Sequence, residues 1–238
     1  MNRFFTDNIQ GNTAWIAGDD VSHIRKVLRL RSGDRIIVCD GNGTEYAAEI
    51  TEIGPDRVDC LLSDMRPCDT ESTYRVTLLQ AVPKTGKMET IVQKCVELGV
   101  YEIQPVLTER CVPLPTRDYE KKRVRYQRVA LEAAKQSRRG IVPQVLPLVP
   151  LGQVDTSRFD DLIVAYELER EASLKSVLRR GVGKRIGVLI GPEGGLEETE
   201  VRRLTDLGGK TVSLGTRILR TETAGMALLS QLLYELES

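Results

Sequence analysis

Two uninterrupted apolar runs constrain the fold of this chain more than any other sequence feature. They are LIVAYE at 162–167 and RIGVLIG at 185–191, and neither alternates polar with apolar residues. A strand with one face in solvent alternates, whereas a strand covered by helices on both faces does not. Patterns typical of helices flank both runs, so the sequence predicts an α/β domain with a mostly parallel sheet.

The residues from about 71 to 238 alternate between strand and helix patterns and form the predicted parallel-sheet domain. Further strands are predicted at 74–82, 100–107 and 210–214, and helices at 87–98, 118–139, 198–207 and 223–236. The helix at 87–98 carries apolar residues at helical spacing and is followed by Gly99, a residue typical of a helix end.

Residues 1–70 follow a different pattern, typical of a small β-rich domain. Runs at 34–40 and 45–53 enclose a turn rich in glycine and asparagine, which predicts a hairpin. A third strand is predicted at 57–62 and a helix at 20–30. The polar segment 64–73 is expected to be the linker.

The charge of the chain is balanced overall but uneven along its length. Lys and Arg number 34, as do Asp and Glu, yet residues 110–139 hold ten basic and three acidic residues. This basic segment indicates either a polyanionic partner for one face or simply a solvated helix face, and both interpretations stay open at this point.

Composition favours a cytoplasmic chain without a metal site or a membrane span. Hydrophobic residues make up 41%, and no run approaches the roughly 18 apolar residues of a spanning helix. The polar start is unlike a signal peptide. The five cysteines include no C-x-x-C pair and the chain has one histidine, so we expect reduced thiols rather than zinc.

Two glycine-containing loops follow predicted strands and precede predicted helices. They are Gly191-Pro-Glu-Gly-Gly195 and the segment 214–224, LGTRILRTETA. Ligands of open parallel sheets bind beyond the carboxyl ends of the strands. The first of these loops is neither a Walker A nor a G-x-G-x-x-G motif, and alone it could be an ordinary tight turn. The second alone is a weak signal. In a Rossmann-type enzyme the phosphate-binding turn would fall at 83–86, which lacks the glycine pattern.

Together, LIGPEGGLEETEV and VSLGTRILRTETA closely resemble the ribosomal RNA small subunit methyltransferase E family. Similar segments extend along most of the chain: Arg3-Phe4-Phe5, His23-Ile-Arg-Lys-Val-Leu-Arg29, the helix at 87–99 and EAAKQS at 132–137. One departure is Arg138-Arg139, where the family usually has Gly-Arg; here the glycine follows as Gly140.

The resemblance implies a knotted SPOUT domain at 71–238, with a trefoil knot in its C-terminal part, and a PUA-like β-barrel domain at 1–70. It implies transfer of a methyl group from S-adenosylmethionine to N3 of a uridine in the 16S rRNA, uridine 1498. It also implies a homodimer whose partner is ribosomal RNA or the small ribosomal subunit. The alternative is a non-catalytic RNA-binding assembly factor that uses the basic faces alone.

The resemblance and the chemistry of the loops define three sets of candidate residues. The cofactor would be held by Tyr166, Glu167, Leu189, Gly191, Glu193, Gly194, Gly195, Leu214, Gly215, Ile218, Leu219, Arg220 and Ala224. RNA would be held by Arg3, His23, Arg25, Lys26, Arg29, Arg110, Lys135, Gln136, Arg138 and Arg139.

The third set is catalytic. Arginine stays charged and cannot be the base, but it can stabilise a uracil anion, a role open to Arg220 or Arg139. The proton of N3 would go to Glu193 or Glu222, and the sequence does not decide between them.

Overall fold

The structure, a computed structural model, describes residues 1–84, 86–111 and 116–237, with only the backbone described for 116–118. Contacts divide the chain into two units. Unit 1 is Met1–Glu71 with Ala134–Val142, and unit 2 is Ser72–Ala133 with Pro143–Ser238. The predicted boundary after residue 70 thus lies one residue from the observed one, but a later segment, 134–142, joins unit 1.

Unit 1 is built on one sheet, mostly antiparallel, with the order β1-β4-β5-β6-β3-β2. Only the β1–β4 pair within it is parallel. Alternate residues of the strands, such as Ile16, Ile36, Val38 and Ile50, are buried on one face and form the core. The described strands of unit 1 are β1 (Arg3–Phe5), β2 (Ile9–Gln10), β3 (Thr13–Ala17), β4 (Arg35–Cys39), β5 (Thr44–Ile53) and β6 (Arg57–Pro67).

Strand β6 shows that the predicted linker begins too early. Residues 64–67 belong to the strand, and Arg66 and Pro67 pair with Glu45 and Thr44 of β5. The pairing uses backbone groups, so the polar side chains of this stretch carry no periodic signal of it.

The predicted helix at 20–30 is also only partly correct. An α-helical turn, α1 (Asp19–Ser22), continues as a π-helical turn, His23–Leu28. The N–H of Arg29 bonds to the carbonyl of Ile24, five residues back, and Arg29 ends the turn with a left-handed φ of 53°. The turn buries Ile24 and leaves His23, Arg25 and Lys26 exposed.

Unit 2 contains a parallel sheet, as predicted. Its strand order is β10-β8-β7-β12-β11-β13, with β9 also paired to β8. The described strands are β7 (Arg75–Ala81), β8 (Glu102–Leu107), β9 (Gln144–Val145), β10 (Val149–Pro150), β11 (Asp161–Ala165), β12 (Arg185–Ile190) and β13 (Lys210–Val212). The two apolar runs became the neighbouring strands β11 and β12.

Helices complete unit 2. They are α2 (Lys87–Glu97), α3 (Thr116–Gln136), whose last turn belongs to unit 1, α4 (Leu174–Leu178), α5 (Glu198–Asp206) and α6 (Thr221–Leu236). Helix α6 contacts α2, α4, β7 and β12. Ile91 of α2, Val188 of β12 and Leu228 of α6 are fully buried. The threading of the chain through a knot stays a prediction of the resemblance.

The residues that the structure describes contain no helix with the length and apolarity to cross a membrane. They also contain no cluster of three or more metal-ligating side chains. The five cysteines are buried and free.

The strand register aligns the ends of four strands in unit 2. Ala165 of β11 pairs with Ile190 of β12 and with Val212 of β13, and Ile190 pairs with Gln80 of β7. The segments that leave these strands therefore meet at one edge of the sheet.

Candidate active site

A cleft of about 430 Å³ lies at the edge of the sheet where β11, β12 and β13 end. Three segments line it, one after each strand. They are Ala165–Glu167 with Arg170, then Ile190–Gly195, and finally Ser213–Thr221 with Ala224. The two loops that are far apart in sequence are thus brought together in one cavity.

The first loop, 191–197, makes a tight turn. The N–H of Gly195 donates to the carbonyl of Pro192 at 3.0 Å, and Gly195 has a left-handed φ of 73°. A Cβ at Gly195 would collide with Oε1 of Glu167. The left-handed conformation therefore favours glycine here, and a larger residue would also displace the Glu167 carboxylate from its position at the cleft.

Cationic side chains hold the first loop from two sides. Lys87 Nζ lies 3.0 Å from Glu193 Oε1, and the N–H of Lys84 donates to the same carboxylate at 3.1 and 3.2 Å. Arg110 donates to the carbonyl of Gly194 at 2.7 Å and to Glu197 Oε1 at 2.8 Å. These contacts within the chain define the shape of the loop.

Lys87 also joins the first loop to α6, because its Nζ lies 3.1 Å from Glu222 Oε2. Burial alone would raise the pKa of Glu193, but Lys87 and backbone N–H groups outweigh it and lower this pKa. A bond from its own N–H, followed by Lys87, lowers the pKa of Glu222. Both carboxylates are therefore ionised at neutral pH.

The second loop, 213–220, has few anchors. Ser213 and Gly215 exchange two hydrogen bonds of 3.2 Å, and Ile218 is 85% exposed. Arg217 and Arg220 are exposed, and their side chains make no hydrogen bond or ion pair within the described part of the chain. Their guanidinium groups are free to meet an anion.

The turn after β11 is fixed by a carboxylate. Glu169 Oε2 accepts from Thr211 Oγ1 at 2.6 Å, and Oε1 accepts from the N–H groups of Glu171 and Ala172. These bonds, that from Thr211 first, lower the pKa of Glu169 to about 2. The turn carries Glu167 and Arg170 at the cleft.

Of the predicted cofactor residues, Leu189 alone does not line the cleft, because it is fully buried within β12. Arg170 also lines it and carries no sequence signal, since it lies outside both motifs. Further lining residues that were not singled out include Pro192, Thr216, Arg217 and Thr221. They belong to the motif segments and could have been included.

The four predicted catalytic residues do not all lie at the cleft. Arg220 and Glu193 line the cleft. Glu222 does not line it and forms an ion pair with Lys87. Arg139 lies in unit 1, is 4% exposed and is 2.7 Å from Glu71. The same carboxylate accepts from the N–H groups of Gly140 and Ile141.

Some predicted RNA-binding side chains are occupied by internal partners. Arg3 lies 2.6 Å from the buried carboxylate of Glu45, and Lys135 lies 2.8 Å from Asp20. Arg110 is bonded to the first loop. The exposed members of the set are His23, Arg25, Lys26, Arg29, Gln136 and Arg138.

The chain thus combines a parallel-sheet unit that has a cleft at its carboxyl edge with a second, small β unit, and known proteins with these two domains define its class. The profile of the RNA methyltransferase domain matches residues 70–233, and that of the RNA methyltransferase PUA domain matches residues 16–63. The class of RNA methyltransferases expected from the sequence is confirmed.

Full-length relatives narrow the class. A Bacillus subtilis protein named ribosomal RNA small subunit methyltransferase E is 39% identical over all of this chain and 98% of its own length. A protein of the same name from Synechocystis is 33% identical, covering 95% of this chain and 74% of its own. The chain belongs to the ribosomal RNA small subunit methyltransferase E family.

A solved structure supports the same assignment. The Neisseria gonorrhoeae member superposes with a TM-score of 0.86 at 32% identity, covering 98% of this chain and 97% of its own. It is described as bound to S-adenosyl methionine, so the predicted cofactor is confirmed for the family.

Proposed function

We propose that this chain transfers a methyl group from S-adenosylmethionine to N3 of a uridine in small-subunit ribosomal RNA, uridine 1498 of the 16S molecule. One observation carries the proposal: a preformed glycine turn and a loop with free arginines line a single cleft. The first provides a shaped binding surface and the second provides uncommitted positive charge.

The cleft suits the proposed cofactor. Its volume lies in the range of small-molecule sites, and its walls combine apolar side chains with a few polar groups. Leu214, Leu219 and Ala224 would contact the adenine ring, and Glu167 would accept hydrogen bonds from hydroxyl or ammonium groups. When bound, S-adenosylmethionine supplies an electrophilic methyl group carried by a sulfonium.

The residues of the cleft can handle the charge that the reaction creates. Uracil N3 must lose its proton before it can act as a nucleophile, and the negative charge spreads to the flanking oxygens. We assign the stabilisation of that anion to Arg220, which is exposed and forms no ion pair within the described part of the chain. Because Glu193 lines the cleft and Glu222 does not, we assign the proton acceptor to Glu193.

We assign the first contacts with RNA to the exposed part of the predicted set. His23, Arg25, Lys26 and Arg29 project from the π-helical turn and its end, and Arg138 is exposed in the same unit. Lys26→Ala combined with Arg29→Ala is expected to weaken RNA binding and flatten its salt dependence. The matched control, Arg3→Ala, removes one of the two arginines paired with the buried carboxylate of Glu45 and is expected to lower the unfolding temperature instead.

The proposed function is tested on the full chain with RNA from a strain that lacks the gene. Mass spectrometry of small-subunit RNA should show one methyl group gained on a uridine when protein and S-adenosylmethionine are added. Calorimetric titration with S-adenosylmethionine should release or absorb heat. RNA binding without either signal would favour the non-catalytic assembly factor.

We also propose that the chain acts in the cytoplasm, where its RNA substrate is found, as a homodimer. The sequence suggests two candidate interfaces, the C-terminal helix α6 and the face of α3 that carries small side chains. The face of α3 is not available, because Ala130 is already fully buried within the chain. Helix α6 presents Tyr234 with 77% exposure and is the better candidate. Sedimentation as a monomer at micromolar concentration would contradict a dimer.

A further inference from the structure

A chain of hydrogen bonds connects β7 to the first loop through α6. Gln80 of β7 is fully buried, and its Nε2 donates to Thr221 Oγ1 at 3.0 Å. The Thr221 hydroxyl donates to the carbonyl of Gly191 at 2.7 Å. Thr221 and Gly191 line the cleft, whereas Gln80 does not. We call these three residues the relay.

The direction of every bond in the relay is determined by its partners. Gln80 Nε2 also donates to the carbonyl of Ala81 at 3.0 Å, which can only accept, so the amide nitrogen lies on this side. The Gly191 carbonyl likewise only accepts. The Thr221 hydroxyl therefore accepts from Gln80 and points its hydrogen at Gly191.

The amide oxygen of Gln80 makes this side chain unfavourable for stability. Its Oε1 is buried and has no hydrogen-bond partner within the described part of the chain. It faces α6 at Gly225, where a Cβ would lie 3.5 Å from it. A buried unsatisfied oxygen lowers stability, and an apolar side chain of similar size would avoid this. Folding alone therefore does not account for glutamine at this position.

We infer that Gln80 is a positioning residue for the methyl donor, acting through Thr221 on the first loop; the inference rests on the proposed function. The peptide bond between Gly191 and Pro192 has no N–H, because Pro192 lacks one. Its carbonyl, that of Gly191, is therefore the group through which a hydrogen bond can orient it. The relay holds it and thereby orients the peptide at the start of the cofactor cleft. Binding of S-adenosylmethionine, rather than the methyl transfer step, should depend on Gln80.

The test is calorimetric titration of the full chain with S-adenosylmethionine, using Gln80→Leu and, as a second variant, Gln80→Met. Each is expected to weaken binding about tenfold, the effect of losing roughly one well-placed hydrogen bond. KM for the methyl donor should rise while kcat stays near wild type. The unfolding temperature should not fall, because the unsatisfied oxygen is removed together with the relay.

Substitutions at Thr221 test whether Gln80 and Thr221 affect cofactor binding through the same hydrogen bonds. Thr221→Ser keeps the hydroxyl and should bind nearly as the wild type does, whereas Thr221→Val should weaken binding. Combining Gln80→Leu with Thr221→Val should be no worse than Thr221→Val alone, because the relay is already broken.

Three results would overturn the inference. They are wild-type affinity in both Gln80 variants, losses that add in the double variant, and affinity that falls only in step with the unfolding temperature. If the wild-type chain itself gives no heat with S-adenosylmethionine, the proposed function fails first, and that outcome is distinct from all three.

Discussion

The two loops of the cleft differ in how they are held. The first loop, 191–197, is tethered by Lys87 of α2, by Arg110 beyond β8 and by Thr221 of α6. The second loop, 213–220, is anchored at its start, where Ser213 bonds to Gly215 and through its backbone to Ala172 and Leu174. The side chains of Thr216, Arg217, Ile218 and Arg220 are exposed. Side chains from several elements thus build one wall of the cleft.

This difference indicates that the two loops have different roles in the reaction. A wall that is already shaped loses little conformational freedom when a cofactor binds, so the first loop suits recognition. A loop with unpaired guanidinium groups suits the stabilisation of charge that appears only during the reaction. Variants at the glycines and tethers of the first loop should therefore affect binding, whereas variants at Arg220 and at the proposed proton acceptor, Glu193, should affect turnover.

The largest effect is expected at Arg220. Arg220→Ala should lower kcat by about 10²–10³-fold, the usual cost of losing one group that stabilises a developing anion. Affinity for S-adenosylmethionine, measured by calorimetry, should change little. Arg217→Ala in the same loop is the matched control and should keep most of the activity. Unchanged turnover in Arg220→Ala would remove the arginine from the mechanism.

The next effect is expected at Gly195. Alanine there must adopt a left-handed backbone, at about 1–2 kcal/mol, and its Cβ would collide with Glu167. Affinity for S-adenosylmethionine should therefore fall about tenfold or more. Gly215→Ala is the control, since its φ of 116° is also positive but no atom lies within 4 Å of a Cβ. Equal losses at both positions would mean that the collision with Glu167 has no effect.

A smaller effect is expected at Lys87. Lys87→Met leaves Glu193 and Glu222 without their shared cation, so the first loop loses one link to α6 and keeps the other, from Thr221 to Gly191. Because the ion pairs are partly exposed, we expect a loss of about threefold to fivefold in affinity for S-adenosylmethionine. Lys87→Arg keeps the charge and should restore most of it. A variant Lys87→Met with full affinity would show that the other tethers suffice.

The smallest effect is a pH dependence at the turn after β11. The pKa of Glu169 is about 2 in the folded chain and 4.5 ordinarily, so its contribution to stability is present above about pH 4.5. That contribution is lost as the pH falls from about 4.5 towards 2. Unfolding temperatures of wild type and Glu169→Gln should therefore differ at pH 6 and converge near pH 2. A constant difference would exclude this carboxylate as the titrating group.

The fold was largely predictable because buried strands and helices carry a pattern of apolar residues in the sequence. The apolar runs at 162–167 and 185–191 predicted parallel strands, and β11 and β12 are those strands. The errors in the predicted elements lie where this apolar pattern is absent or does not distinguish two conformations. Residues 64–67 extend β6 through backbone pairing and an ion pair between Arg66 and Glu45, neither of which leaves an apolar pattern. The π-helical turn at His23–Leu28 carries no sequence pattern that distinguishes it from an α-helix.

The candidate site was predictable as far as its motifs extend. The glycine turn and the arginine loop were recognisable in sequence, and both line the cleft. Lys87 lay within a motif, but nothing in its spacing indicated that it would bridge Glu193 and Glu222. Arg139 looked like a catalytic cation, whereas the structure pairs it with Glu71, 68 positions away in the chain.

The sequence by itself determined the class of fold, the family and the two segments that line the cleft, because hydrophobic periodicity and short motifs are local properties. Only the tertiary structure decided which charges are free and which are paired, and that Gln80 reaches Thr221 across 141 positions of chain. Such contacts depend on distances between residues that the fold brings together. No pattern within a stretch of neighbouring residues contains those distances.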